Sequence, residues 1–175
     1  MSHVSAGPAN AHDRARTPAQ WYCMLGGVAL LLAGILGFIS DSSFDTGNDI
    51  EGGSFLGFEV NAWHNLVHVA SGLLLLAASR RRASARAVAI GFGLVYGVVA
   101  LIGIIDGSDV LGIIPVNSAD NVLHVALAAL GILTGLMSRS DDRRHSDTLV
   151  DGTTTGTNPR FRRSTRERAR GRDRA

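Results

Sequence analysis

The sequence predicts an all-α integral membrane protein: a four-helix bundle of two helical hairpins repeated in parallel, with disordered polar ends. Three observations lead there. Four apolar runs lie between residues 21 and 139 of a 175-residue chain that is 46% hydrophobic and only 18% charged. A soluble domain of this size alternates apolar and charged residues around its helices, whereas these runs are apolar on nearly every side. All 17 basic residues are arginine, and they fall only in the leader, in one short turn and in the tail. Finally, Val60-Asn61-Ala62-Trp63-His64-Asn65-Leu66-Val67-His68-Val69-Ala70 returns 56 residues later as Val116-Asn117-Ser118-Ala119-Asp120-Asn121-Val122-Leu123-His124-Val125-Ala126.

In chain order, residues 1–20 carry Pro8, Pro18, Arg14 and Arg16 without an apolar period, and read as a disordered cytoplasmic leader. The run 21–40 is long enough to cross a ~30 Å hydrocarbon layer. Basic residues precede it as in a signal peptide, but it is too long and no A-x-A-like site follows, so it is expected to be a retained span. Residues 41–59 form a loop rich in Gly, Ser and acid. A second span covers 62–79, Arg80-Arg81-Arg82 and Arg86 make a basic turn, and a third span covers 87–105. A second acidic loop leads into the fourth span, 118–138, and the transmembrane domain is thus 21–138. Residues 139–175, with eight arginines between Arg160 and Arg174, cannot bury enough apolar surface to fold alone and are expected to be a disordered tail.

Arginine placement orients the spans. The two loops without arginine hold eight acids, counting Asp120, so the positive-inside rule puts both termini and the basic turn in the cytoplasm of a multi-pass plasma (inner) membrane protein. Both hairpins then point the same way, which makes the repeat a parallel one about an axis along the membrane normal. Ala29, Ala33 and Gly37, with Gly93 and Gly97, offer small faces for close helix packing. The single Cys23 excludes an internal disulfide.

The repeated stretch places Asn61, His64, Asn65 and His68 on one side of a helix, and Asn117, Asp120, Asn121 and His124 on the same side of another. Lipid is a poor neighbour for such stripes, so both should turn inward. Asn61 and Asn117 have the place of N-caps, and Asp120 lies three residues past its cap, where a carboxylate completes a capping box. Asn65 and Asn121 suit bonds across helices. His68 and His124 lie about 10 Å along the helix from any cap. His64, His68 and His124 with Asp120 make an N3O set suited to zinc or another divalent metal, and a haem or a proton relay is a further option. The loop Asp45-Thr46-Gly47-Asn48-Asp49 departs from the EF-hand pattern, and neither a nucleophile set nor a phosphate loop is present.

Leu56-Gly57-Phe58-Glu59-Val60-Asn61 through His68, and Leu111 through His124, resemble the four-span bacterial (actinobacterial) membrane family catalogued as domain of unknown function 4383. The two halves of that family resemble L-G-x-x-P-V-N-x-x-H-N-x-x-H and L-G-x-x-P-x-N-x-x-D-N-x-L-H. Here Glu59 stands where the pattern usually has Pro, and the first half is one residue shorter. The resemblance implies a four-span inner-membrane protein and brings no activity with it. The function expected from the whole chain is a small, non-enzymatic membrane protein with a structural or subunit role in the cell envelope. Two alternatives stay open: a metal- or haem-binding redox protein using the inner histidines, and a small oligomeric transporter or proton relay. Expected partners are the bilayer, anionic lipid at the Arg-rich tail, and copies of itself or another membrane protein. No specific nucleic acid is expected.

Overall fold

Thr17 sets where the chain becomes helical. Its hydroxyl accepts from the Gln20 N–H at 3.3 Å, and Gln20 Oε1 accepts in turn from the Thr17 N–H at 3.1 Å. Pro18 follows at the first helical position, where a missing N–H costs nothing. In this computed structural model, which describes residues 15–48 and 50–138, with the backbone alone at Asp106, helix α1 therefore runs Pro18–Ser40. It begins three residues ahead of the expected span, and Ala19 and Gln20 are buried in its first turn. The leader up to residue 14 and the Arg-rich tail 139–175 lie outside the described residues.

Three further helices follow: α2 (Ala62–Ala78), α3 (Arg82–Asp106) and α4 (Ser118–Met137). Helices α1, α3 and α4 are each long and apolar enough to cross a membrane. Helix α2 is apolar but has 17 residues, a rise of roughly 25 Å, at the short end of spanning lengths. Helix α3 begins at Arg82, so Arg86 belongs to its second turn rather than to a loop, and the helix is longer than the apolar run 87–105. Leu25, Leu32, Leu73, Leu101, Leu133 and many more large apolar side chains are exposed on the outer faces. A surface of this kind fits hydrocarbon and not water.

The expectation of an all-α chain needs correction, because both acidic loops fold as small antiparallel hairpins. Strands β1 (Gly53–Phe55) and β2 (Phe58–Val60) pair with Ser54 opposite Glu59, and β3 (Asp109–Val110) pairs with β4 (Ile114–Pro115). Leu56 and Gly57 connect the first pair with φ of +53° and +89°. This is the turn with two positive φ values that suits the right-handed twist of a two-residue hairpin. Leu111 and Gly112 repeat the conformation at +60° and +65°, but Ile113 joins them in a three-residue loop, its N–H donating to Val110 O at 3.2 Å. The residue by which the first half is shorter is thus one residue of hairpin loop. The usual sequence marker for such a turn is Asn-Gly, and Leu in its place hid both hairpins.

Lipid tails are as apolar as leucine, so helices in a membrane associate through close packing and hydrogen bonds. Here glycine lets α1 lie along α2 and α3 along α4. A Cβ on Gly27 would meet Gly72 O at 3.0 Å, and one on Gly93 would meet Ala128 O at 2.7 Å. Gly34 presses on the backbone of Asn65 and Val69 in the same way. Of the expected small-residue face, Gly37 and Gly93 are in close contact, whereas Ala29 is exposed and Ala33 only half-buried. A core of Tyr22, Cys23, Leu30, Leu75, Phe92 and Tyr96 fills the space among the helices.

The end of α1 is tied to the first hairpin by Asp41. Its carboxylate accepts from the Ser43 N–H at 2.6 Å and the Gly53 N–H at 3.1 Å. Partial burial pushes the carboxyl upward, but these two N–H groups outweigh it and hold Asp41 below the ordinary carboxylate range.

Candidate functional site

Both stripes of polar residues begin at N-caps. Asn61 Oδ1 accepts from the His64 N–H at 2.9 Å, and Asn117 Oδ1 accepts from the Ala119 and Asp120 N–H groups at 2.8 and 3.1 Å. Each cap also reaches over to the other half of the chain. Asn61 Nδ2 donates to Ile113 O at 2.8 Å, and Asn117 Nδ2 donates to Gly57 O at 3.0 Å. Gly57 and Ile113 are themselves 56 residues apart, so the two amides close a reciprocal clasp between the hairpins.

The third residue of each helix continues the exchange differently. Asp120, 1% exposed, accepts at Oδ2 from the Asn117 N–H at 3.0 Å and the Glu59 N–H at 2.9 Å. The residue matching Glu59 in the second half is Pro115, which has no N–H to give. His64, the counterpart of Asp120, instead places Nδ1 3.2 Å from Pro115 O. A carbonyl only accepts, so Nδ1 carries the proton and donates, which leaves Nε2 of the neutral imidazole with a free lone pair. That Nε2 is buried and has no hydrogen-bond partner among the described residues.

Around it stand the other two histidines. His64 and His68 have ring centroids 4.4 Å apart, His64 and His124 6.0 Å, and His68 and His124 6.5 Å. One ligand nitrogen from each can be chosen so that all three lie within 4.8 Å of one another. All three rings are buried, and His124 Nδ1 is also without a partner among the described residues. Tyr96 sets its ring edge-on against His124 at 5.3 Å, and its hydroxyl lies 3.4 Å from Ser71 Oγ. The histidines form one end of a cavity of about 480 Å³ between α2 and α3, which Phe92, Val95 and Gly91 continue as an apolar cleft.

Of the eight residues singled out in the sequence, the structure brings His64, His68 and His124 together. Asp120 stands beside them but its Oδ2 is engaged by two backbone N–H groups, and the converging set is of three histidines. Asn61, Asn65 and Asn121 are buried, while Asn117 is half-buried. Asn65 Nδ2 donates to Asp41 O at 3.0 Å, a bond across α1 and α2. Asn65 Oδ1 sits against Gly37, and Asn121 Oδ1 sits against Gly103. These oxygens have no partner among the described residues and face the one residue type whose Cα leaves them room. Sequence reasoning missed Pro115, Ser71 and Tyr96. A hydroxyl-tipped ring inside an otherwise apolar run was a usable signal for Tyr96, whereas nothing local points to the Pro115 carbonyl.

The family model described as Domain of unknown function (DUF4383) matches residues 20–137, which is most of the chain. The chain belongs to this family. No curated protein and no solved structure matches it. The match covers α1 from Gln20, the other three helices and both clasped hairpins, so the histidine cluster lies wholly within the family's domain.

Proposed function

We propose that this chain is a four-span protein of the plasma membrane, with both termini cytoplasmic, whose inner histidines hold a divalent transition metal. Its two hairpins form a parallel repeat, supported by the matching contacts of Gly27 with Gly72 and Gly93 with Ala128 and by the reciprocal amides of Asn61 and Asn117. Arginine on one side only supports the orientation. The outer end of the bundle then carries the hairpins, with the histidines a short way below them.

The observation that carries the metal reading is the His64–Pro115 contact. Metal-bound histidines generally donate their second N–H to a carbonyl or carboxylate, which fixes the tautomer and aims the other nitrogen. His64 has this arrangement, its Nε2 is left without a partner among the described residues, and one ligand nitrogen from each of the three histidines lies within 4.8 Å of the others. A buried polar atom without a partner costs about 1–3 kcal/mol, and a cation shared by three imidazoles removes that cost for His64 and His124 together. His64, His68 and His124 would hold the ion, and a zinc held by three histidines would supply Lewis-acid chemistry at a fourth position.

Metal analysis of protein purified in detergent after equilibration with Zn²⁺ tests the reading. One ion per chain is expected, and His64→Ala, His68→Ala and His124→Ala should each abolish it. Wild-type protein that takes up no metal would overturn it. For topology, reporter fusions after residues 50, 84, 110 and 150 should read outside, inside, outside, inside, and any other order sinks the four-span reading.

A further inference from the structure

We propose that the cleft between α2 and α3 binds a neutral, membrane-soluble quinone, with its ring oxygens toward the histidines and its tail along the apolar wall. The inference does not depend on metal binding, because it starts from the cleft's shape and the polarity of its lining. A volume of about 480 Å³ is in the range of small-molecule sites. Val67, Leu74 and Val95, which line it, are 41%, 54% and 60% exposed on the lipid-facing flanks. A ligand dissolved in the bilayer can therefore enter sideways between the two helices without meeting water.

The lining also selects the head group. Among the described residues, no Asp, Glu or Arg side chain lines the cleft. A phosphate, carboxylate or ammonium head would lie there unpaired, which is strongly unfavourable in an apolar site. What the cleft offers is a set of neutral polar side chains: the imidazoles of His64, His68 and His124, and the hydroxyls of Ser71 and Tyr96. An imidazole nitrogen can accept from a quinol hydroxyl or, in the other tautomer, donate to a quinone carbonyl. Phe92 and Tyr96 give one wall of the cleft aromatic character. Phe92 and Tyr96 stack with centroids 4.0 Å apart and planes 24° apart. A neutral ring carrying oxygens, on an apolar tail, is the ligand class that uses all of these features at once.

The test uses full-length, metal-free protein in detergent micelles, titrated calorimetrically with a short-tailed benzoquinone after subtraction of its partition into empty micelles. Saturable binding near one molecule per chain is expected. Gly91 lines the cleft, and a Cβ there meets no atom within 4 Å, so Gly91→Phe starts a bulky side chain from an open position at the cleft. It should weaken binding by about tenfold or more while the melting temperature and zinc uptake stay as in wild type. Val67→Phe at the mouth of the cleft serves as a second variant, with the same expectation. Absent saturation, unchanged affinity in both variants, or equally tight binding of a straight-chain alcohol of matching tail length would each overturn the inference. Quinone binding without zinc uptake would leave this site standing and remove the metal reading, and zinc uptake without quinone binding would do the reverse.

Discussion

The two halves of the molecule share their glycine contacts, their N-caps and their hairpin turns, yet they finish the start of the return helix in different ways. In the second half Asp120 is spent on backbone N–H groups, one its own cap's and one from Glu59 across the clasp. For the first half, the matching backbone position across the clasp is Pro115 of the second half. His64 takes the Pro115 carbonyl instead and has a nitrogen left over. The same scaffold position is thus purely structural on one side and chemically available on the other. What decides between them is a single N–H, present at residue 59 and missing at residue 115.

The largest test of that contrast compares Asp120→Ala with His64→Ala in metal-free protein. Asp120 is buried and satisfies two backbone donors, so its loss should cost about 3–5 kcal/mol. Loss of the neutral hydrogen bond from His64 to the Pro115 carbonyl should cost less, on the order of 1–2 kcal/mol. Thermal melting in detergent reads both, and equal costs would mean that His64 is as structural as its counterpart.

Glycine contacts should behave alike in the two halves and differ within one helix. Gly27→Ala and Gly93→Ala both push a methyl group into opposing backbone, and each is expected to destabilise by about 1–3 kcal/mol. Gly91→Ala, two residues from Gly93 on the same helix but facing open space, should be neutral or stabilising by up to ~1 kcal/mol through helix propensity. A destabilised Gly91→Ala protein would show that the cleft is narrower than described.

A smaller effect separates the caps. Asn61→Ala and Asn117→Ala each remove a cap worth ~1 kcal/mol and one strand of the clasp. Asn61 is 2% exposed and Asn117 half-buried, so the first substitution should melt the protein earlier. The reverse order would place the weight of the clasp on the second hairpin.

The smallest expected effect is confined to the first half and depends on pH. Asp41 is held below its ordinary range in the folded protein, so it stabilises at pH values above the unfolded carboxyl range. That contribution is lost as pH falls through the folded value, below about pH 4. Amide exchange at Ser43 and Gly53 should quicken there, and Asp41→Asn should remove most of the pH dependence. No change in exchange across that window would mean that other bonds hold this loop.

How far each feature could be read from the sequence follows from how local its cause is. The capping box of Asn117 and Asp120 lies within four residues, and the inward turn of His64, His68 and His124 follows from helical period alone. The expected face of Ala29, Ala33 and Gly37 failed because steps of four drift by about 40° around a 3.6-residue helix. Gly27, Gly34 and Gly37 stay on the packed side. The hairpins were hidden because their strands are two or three residues long and leucine occupies a left-handed position. The state of His64 was beyond reach, since it depends on a carbonyl 51 residues away.

The clasp also has a consequence for the order of synthesis. When the first two helices have left the ribosome, the Asn61 amide has no Ile113 carbonyl to meet, and the Glu59 N–H has no Asp120. These groups have only water or a holding factor to bond while the second half is made. The first hairpin therefore leaves the ribosome unfinished, and its two donors gain their protein acceptors only when the second hairpin and the last helix have been made.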